Sequence, residues 1–465
     1  MKLNYKKTIC VGFAFFLISM FWQAYDTLIP KILTDKFGMA QTWSGMIMAL
    51  DNLIALFLLP IFGAISDKTR SRYGRRTPFI FIGTISAVIS FFALSFVDGW
   101  QKANLGDLSG MGTEERLAAA WQATADNPLT LVFFILLLLV VLLSMAIFRS
   151  PAVALMPDVT VKPLRSKGNA IINLMGTAGG IIVLALGIVF GTGKAENALM
   201  GYTPFIGVVV LLMLAALGVF LLTVREPKLV AEMEEESRRL GIDEEKDAAE
   251  EAEKQAAAKG IKLDRPQLIS LLLILASVAL WYIGYNAVTS KYSVYAGDVL
   301  KLDYNTTLII AQAAAVVAYI PAGIVATKLG RRKTILSGIV LLFAAFLFAS
   351  FLREGSSPLL LNTLFILAGI GWATINVNSF PMVVELSKSA DVGRYTGFYY
   401  TASMSAQILT PVLSGVFMDL IDMTVLFPYA AIFVAFSFVT MFFVRHGDAR
   451  PTERKSVLEQ LGADD

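Results

Sequence analysis

The chain has 465 residues, of which 56% are hydrophobic and only 16% are charged, and its net charge is +3. A soluble domain is typically about a quarter charged, and cations confined to short loops exclude nucleic acid as an expected partner. The single cysteine, Cys10, excludes an internal disulfide. The single histidine, His446, follows the last apolar segment, which excludes histidine metal sites and histidine proton relays inside a membrane.

Apolar segments of about 20 residues recur along the whole chain, and a helix of that length crosses a bilayer. The alternating pattern of a membrane β-barrel is absent. We therefore predict an all-α membrane protein with twelve transmembrane helices. The predicted spans are 9–33, 41–65, 78–97, 129–156, 169–191, 203–224, 267–290, 304–326, 334–352, 359–381, 395–417 and 425–444.

The loops between the spans differ in charge. Lys and Arg lie before the first span, in 66–78 (SDKTRSRYGRRTP), and in the loops after the fourth, eighth and tenth spans. Loops rich in Lys and Arg stay on the cytoplasmic side of a membrane. We therefore expect a cell-membrane protein with both termini in the cytoplasm, and we expect the cations of 66–78 to hold a tight loop at the inner face.

Two loops are long. Residues 99–128 are expected to form an outer loop in which Thr113 caps a short helix. Residues 225–266, rich in Ala, Glu and Lys, predict a solvated and partly helical linker, with a regulatory role as the alternative. The predicted domains are an N-terminal six-helix half (1–224), a cytoplasmic linker (225–266), a C-terminal six-helix half (267–445) and a cytoplasmic tail (446–465).

The two halves repeat one another. The segments 21–26 (FWQAYD) and 281–286 (WYIGYN) share the pattern aromatic-aromatic-x-x-Tyr-Asx at an offset of 260. The same offset takes Gly63 to Gly323, where GIVATKLGRRKT is a shorter echo of GAISDKTRSRYGRRT. In the later spans Asp158 corresponds to Glu385 at a different offset. The repeat predicts two pseudo-symmetric halves.

A glycine, an acid after three further residues, and a basic loop with Gly-Arg-Arg together resemble the signature between spans two and three of the major facilitator superfamily. The resemblance implies the major facilitator fold and a cytoplasmic gate, in which ion pairs at helix ends lock the inner face and release it when the halves rock. The gating residues so implied are Gly63, Asp67, Arg75, Arg76, Asp158, Arg331 and Glu385.

The longer stretch DKTRSRYGRRTPF resembles the loop of the glycoside-pentoside-hexuronide/cation symporters and the sucrose/proton symporters, and PAVALMPD (151–158) resembles the end of span four in the sucrose group. Both resemblances imply a sugar substrate. The plant sucrose carriers have an arginine at the position of Val153, whereas here Arg149 lies one turn earlier. The sodium-coupled melibiose carriers have acidic residues at the positions of Ala55 and Leu59. Both carboxylates are absent here, so a sodium site of that kind is not expected. Asp51 lies one turn from Ala55, and it is the acid of this span that lies nearest to the lost positions.

Charged residues inside a span cost at least about 2–3 kcal/mol, so they are rare and usually functional. Asp26, Asp51 and Arg149 are the clearest cases, whereas Lys291 and Asp298 lie near the outer end of span seven and fit interfacial positions. A carboxyl in apolar surroundings can exchange a proton near neutral pH, so Asp26 and Asp51 are the predicted proton-coupling residues. The alternative is a structural ion pair, such as Asp26 with Arg149, that fixes helix packing.

Sugars are held by hydrogen bonds to their hydroxyls and by aromatic faces, and transporter sites form near the membrane midplane between the repeats. Tyr282, Asn286 and Thr289 share one stripe of a helix. The alternative for each aromatic residue is helix packing or an interfacial position. The predicted substrate-binding residues are Trp22, Tyr25, Arg149, Tyr282, Tyr285, Asn286, Trp372, Asn376 and Gln407.

These features predict a secondary active transporter that carries a sugar or glycoside, such as sucrose or maltose, together with protons by alternating access. The alternative is a carrier of organic cations or drugs, for which Asp26 and Asp51 would be charge partners. A membrane enzyme or receptor is disfavoured because the sequence shows no metal cluster, nucleophile–base pair or phosphate loop. We expect no cofactor and no metal; the expected partners are the substrate, protons and the lipid bilayer, and the expected state is a monomer.

Overall fold

The described residues of the first half of the chain form seven α-helices. The computed structural model describes residues 3–108, 110–161, 164–240, 264–386 and 392–447. In this first half, six long helices and one short one follow in chain order: α1 (Tyr5–Lys31), α2 (Gln41–Lys68), α3 (Thr77–Asn104), α4 (Thr113–Asp126), α5 (Leu129–Asp158), α6 (Arg165–Phe190) and α7 (Thr203–Thr223).

A helix at the start of the linker, α8 (Glu226–Arg239), leads towards the second half, and 241–263 lie outside the described residues. The second half holds six long helices: α9 (Arg265–Tyr295), α10 (Tyr304–Leu329), α11 (Arg331–Ala349), α12 (Pro358–Glu385), α13 (Val392–Leu420) and α14 (Leu426–Phe442). Most of the predicted tail, 448–465, also lies outside the described residues.

The all-helical, multi-span prediction is confirmed. Eleven of the described helices are long and apolar enough to cross a membrane, and α13, with 29 residues, completes a set of twelve that matches the predicted spans in order. No strand occurs within the described ranges. Large apolar side chains point outward from the bundle, such as Leu222 and Val189, which are 83% and 80% exposed. Side chains of this kind are expected where lipid tails surround a helix.

Buried residues form two separate large clusters. One draws on residues between Val11 and Val224, and the other on residues between Leu271 and Val444. Small residues let helices approach closely inside each cluster: a Cβ added to Gly338 of α11 would lie 2.9 Å from the carbonyl oxygen of Gly371 of α12, and the reverse holds for Gly371. Such contacts are typical of membrane helix packing, because lipid tails provide no hydrophobic drive for association.

Several predicted boundaries require correction. The first and seventh spans are longer than the hydropathy pattern indicated, since α1 continues into a π-helical turn at Ile32–Lys36 and α9 into one at Ala296–Leu300. The charged residues in these extensions have oppositely charged partners inside the bundle, Lys31 for Asp35, Asp98 for Lys36 and Arg116 for Asp298, whereas hydropathy alone counts such residues as the end of a span. Thr113 does not cap the short outer helix. It is the first residue of α4, preceded by Gly112, and helix ends shift by a residue or two in this way.

The bundle has two distinct ends. At one end, here called the basic end, Arg75 and Arg76 meet Asp158, and Glu226 meets the loop before α3. At the other end, here called the opposite end, α2 begins at Gln41, beside Asp419 of α13. The two ends are the reference points for the positions of the predicted site residues.

Candidate functional site

A charged cluster lies on the inner faces of the first half. It consists of Asp26 on α1, Asp51 on α2 and Arg149 on α5, and the three side chains interact electrostatically with one another. The predicted alternative, a direct ion pair of Asp26 with Arg149, is not formed in the described part of the chain. Instead the Arg149 guanidinium lies over the Trp22 ring, with its central carbon 5.4 Å from the ring centroid.

The surroundings of this charged cluster are aromatic and polar. Trp22 and Tyr25 meet edge to face with ring centroids 5.3 Å apart. Tyr25 is fully buried, and neither its hydroxyl nor the Trp22 indole nitrogen has a hydrogen-bond partner among the described residues. Asn52 donates its side-chain amide to Asp51 at 2.8 Å. The site therefore has unused hydrogen-bonding groups beside charged side chains.

An aromatic cluster occupies the second half. Tyr285 of α9 stacks on Trp372 of α12 with ring centroids 3.7 Å apart and planes 4° from parallel, and Tyr282 meets Trp372 edge to face at 5.2 Å. Trp372 lies midway along the 28 residues of α12. The Tyr282 hydroxyl interacts with Tyr399, which is hydrogen-bonded to Ser379 at 2.9 Å. Three predicted residues, Tyr282, Tyr285 and Trp372, are thus brought together.

The remaining predicted residues of the second half are not drawn into these contacts. The Gln407 amide donates to the Ser403 carbonyl of its own helix at 3.3 Å. The Asn286 carbonyl accepts from Ser290 one turn later. Asn286, Asn376 and Gln407 are half-buried, so their side chains are accessible within the bundle. Their role in substrate binding stays a prediction.

The predicted gating residues pair within each half. Arg76 contacts both Asp67 and Asp158, and Arg75 reaches Asp158 at 2.9 Å, which ties together the ends of α2 and α5 and the loop before α3. In the second half Arg331 pairs with Glu385, between α11 and α12. Gly63 allows α2 to approach α5, since a Cβ there would lie 2.9 Å from the Ser150 hydroxyl. These pairs brace each half at the basic end, and their role as a gate stays a prediction.

The contacts that do join the halves concentrate towards the opposite end. Asp419 of α13 accepts from the backbone amides of Gln41 and Thr42 at the start of α2, at 2.8 and 2.7 Å. Lys291 of α9 donates to the Gln41 carbonyl at 2.6 Å and is fully buried. The sequence suggested an interfacial position for Lys291, and the structure corrects this. The Lys291 side chain is buried and holds the start of α2, a helix of the other half.

A second set of charges joins the halves beside the short helix α4. Arg116 of α4 lies 3.2 Å from Asp298 of the second half and 3.7 Å from Asp35 of the first. Lys31 pairs with Asp35 at 3.1 Å, and the side chains of both are at most 2% exposed. Asp298 is likewise not interfacial, because its side chain is only 9% exposed. Lys31 and Lys291 are separated by the 260-residue repeat offset, a sequence signal that was not used to predict their positions.

A cavity opens between the halves on the side of the basic end. It has a volume of about 520 Å³ and is lined by Ala55 and Asp67 of α2, Ser150 of α5 and Tyr400 of α13, among others. Ala55 lies one turn from Asp51, and Ser150 follows Arg149, so the cavity extends towards the charged cluster. Its volume falls in the range of about 300–1,000 Å³ found for ligand pockets. The bundle is thus joined at the opposite end and open from the basic end.

A protein-family model described as MFS/sugar transport protein matches residues 10–392 of this chain. The chain belongs to the MFS/sugar transport protein family. Membership places the chain in a family of transporters rather than of enzymes, and it confirms the predicted major facilitator fold.

The curated relatives of this chain are distant from it in sequence. The sucrose transport protein SUC3 of Arabidopsis thaliana is 29% identical over 160 residues, which cover 34% of this chain and 25% of that protein. The putative glycoside/cation symporter YagG of Escherichia coli is 27% identical over 99 residues, which cover 20% of this chain and 22% of that protein. The matched segments thus span about a quarter of each relative.

Solved structures of other transporters share the fold over nearly the whole length. The inward open conformation of the xylose transporter XylE from E. coli has a TM-score of 0.62 and 15% identity, covering 99% of both chains. A peptide transporter in complex with sulfate has a TM-score of 0.64 and 11% identity, covering 94% of this chain and 93% of the other. At such identities these similarities describe the fold of this MFS/sugar transport protein, and its substrate must be argued from its own residues.

Proposed function

We propose that this MFS/sugar transport protein is a proton-coupled symporter that imports a small sugar or glycoside by alternating access. The observation that carries the proposal is the pairing of a charged cluster in the first half (Asp26, Asp51, Arg149) with an aromatic cluster in the second half (Tyr282, Tyr285, Trp372). Stacked aromatic faces suit sugar rings, and carboxylates inside a span suit proton exchange. The names of the distant relatives, a sucrose transport protein and a putative glycoside/cation symporter, support the same substrate class.

The basic end is proposed to face the cytoplasm, because the loops there carry the clustered Lys and Arg residues. With this orientation, the contacts of Lys291 and Asp419 close the outer side, and the cavity beside Asp67 opens inward. The protein is then in an inward-facing state. Proton release from Asp26 or Asp51 to the cytoplasm and substrate release through the same cavity would occur in this state.

The organic-cation alternative is disfavoured by Arg149. A cationic substrate would meet the guanidinium beside the two carboxylates, and like charges repel across short distances. A hydroxyl-rich substrate has no such conflict, since Arg149 is a hydrogen-bond donor and the carboxylates are acceptors. Asp26 is the residue proposed to carry the proton, because its repeat partner is the neutral Asn286 and so only one side of the repeat can change its charge.

The test uses purified protein in liposomes, with a panel of sugars and amines. Wild type is expected to take up protons when a sugar is added and to accumulate that sugar when an inward proton gradient is imposed. Asp26→Asn is expected to retain sugar exchange but to lose uphill accumulation, and Asp422→Asn, a change in an exposed loop, serves as the control. Accumulation by Asp26→Asn at the wild-type level would contradict its role, and the same assay on Asp51→Asn would then decide whether either acid couples the proton. Proton uptake with amines but with no sugar would overturn the sugar substrate.

A further inference from the structure

One hydrogen bond between the halves lies deeper than the rest. Gln312 of α10 donates its side-chain amide to the side-chain oxygen of Gln23 of α1 at 2.6 Å. The other hydrogen bonds between the halves, within the described residues, lie at or near the opposite end, such as Asn305 to Thr192 at 3.2 Å on the same helix α10. This pair, here called the amide bridge, therefore marks the depth at which the joined part of the bundle gives way to the open part.

The amide bridge joins two helices that each adjoin one cluster of the site. Gln23 follows Trp22, and it shares a helical face with Asp26, three residues later. On the other side, Gln312 lies two turns from Tyr319 on one face of α10, and Tyr319 interacts electrostatically with Tyr285 of the aromatic cluster. The helix carrying Gln312 also approaches α12 one turn from Trp372, since a Cβ on Gly369 would collide with the Ala311 carbonyl. Gln23 therefore lies on a helix that carries part of the charged cluster, and Gln312 on a helix that packs beside the aromatic cluster.

The amide bridge uses only part of its hydrogen-bonding capacity. The contact employs one N–H of Gln312 and the oxygen of Gln23, which leaves the Gln23 amino group and the Gln312 oxygen without a protein partner in the described part of the chain. Both side chains are half-buried rather than sealed. Gly180 of α6 lies beside them, where even a Cβ would be 3.4 Å from each side-chain oxygen. A free donor and a free acceptor are therefore held side by side.

We propose that Gln23 and Gln312 form a subsite that recognises one hydroxyl of the sugar and so determines specificity. A hydroxyl both donates and accepts, which matches the free acceptor of Gln312 and the free donor of Gln23. Because each glutamine belongs to a different half, a hydroxyl bound here is held by both halves at once. Substrate selection and the relative movement of the halves are thereby linked at one point. The inference rests on the proposed sugar substrate.

The experiment measures dissociation constants of a bound sugar and of its monodeoxy analogues for purified protein. In wild type, one analogue is expected to bind about 10-fold more weakly than the parent sugar, because a site built for a hydroxyl rejects the analogue that lacks it. In Gln312→Leu, parent and that analogue are expected to bind within 2-fold of each other, while the remaining analogues keep their wild-type ratios. Gln23→Leu is expected to act on the same hydroxyl.

The matched control is Asn305→Leu, which removes another amide from the same helix that also joins the halves. It is expected to change the affinity for all sugars by one common factor, since it alters only the balance between conformations. If Gln312→Leu and Gln23→Leu behave like Asn305→Leu, the amide bridge serves packing alone and the inference is wrong. If wild type binds no sugar of the panel, the proposed function itself fails, and the two failures are thus distinguishable.

Discussion

Removing the Asp419 carboxylate should open the end of the bundle that is closed in this structure. Asp419 accepts three hydrogen bonds from α2: two from the backbone amides of Gln41 and Thr42 and one from the Thr42 hydroxyl, at 2.6 to 2.8 Å. It thereby caps a helix of the other half, where the helix dipole also favours a negative charge.

The magnitude follows from these contacts. A helix cap contributes about 0.5–2 kcal/mol, and hydrogen bonds to charged groups contribute about 1.5–3 kcal/mol each. Asp419 is solvent-exposed, so water replaces much of the lost hydrogen bonding. We therefore expect Asp419→Ala to shift the equilibrium between the closed and the open form of the opposite end by about 2 kcal/mol towards the open form. At about 1.4 kcal/mol per factor of ten, the open fraction should rise roughly 30-fold. Lys291 still holds the Gln41 carbonyl, so closure should weaken rather than vanish.

The assay follows the reactivity of a buried position on α2. Ser44 is fully buried near the start of that helix, and Ser44→Cys in a Cys10→Ser background gives a single thiol. Its rate of labelling by a maleimide should rise in proportion to the open fraction. The control is Asp422→Ala, because Asp422 caps Thr424 within its own loop and does not reach the other half. A rise below 2-fold in Asp419→Ala, or an equal rise in the control, would refute the reasoning.

Three further predictions concern contacts away from the substrate. Asp98→Asn leaves Lys36 buried without its counter-charge, since both side chains are fully buried, and is expected to destabilise the protein by about 3–5 kcal/mol, measured by thermal unfolding in detergent. Glu226→Ala removes the acceptor for the three backbone amides at the start of α3 and should speed proteolysis of loop 69–76 by trypsin. The hydrogen bond from Lys7 lowers the pKa of Glu232 below its ordinary 4.5. The Lys7–Glu232 contact is therefore present at neutral pH and is lost as the pH falls through that lowered pKa. Spin labels on α1 and α8 would report the loss as an increase in the distance between them.

Much of the charged and aromatic clusters could be predicted from the sequence. Asp26, Asp51 and Arg149 stood out because a charge within an apolar segment is costly and therefore rare. Tyr282 and Tyr285 stood out because the segment that contains them repeats the segment around Tyr25. Each of these signals is local or periodic, so it survives without knowledge of which helices are neighbours.

Contacts between helices that are far apart in the chain could not be predicted from such local signals. Nothing near Lys291 or Asp298 in the chain distinguishes an interfacial charge from a buried one; their partners, Gln41 and Arg116, lie more than 180 residues away. Gln23 and Gln312 were missed for the same reason, because a glutamine in a span acquires a meaning only from the group it faces.

The sequence by itself determined the number and order of the helices, the pseudo-symmetry of the halves and the family signature. Hydropathy and repeat spacing are properties of short segments, and the bilayer requires every span to satisfy its own backbone as a helix. Only the tertiary structure decided that Arg75, Arg76 and Arg331 pair within their own halves, that Asp419 and Lys291 join the halves, and that the cavity opens from the basic end. Those outcomes depend on how the two halves dock, and docking is set by side chains that meet across hundreds of residues of chain.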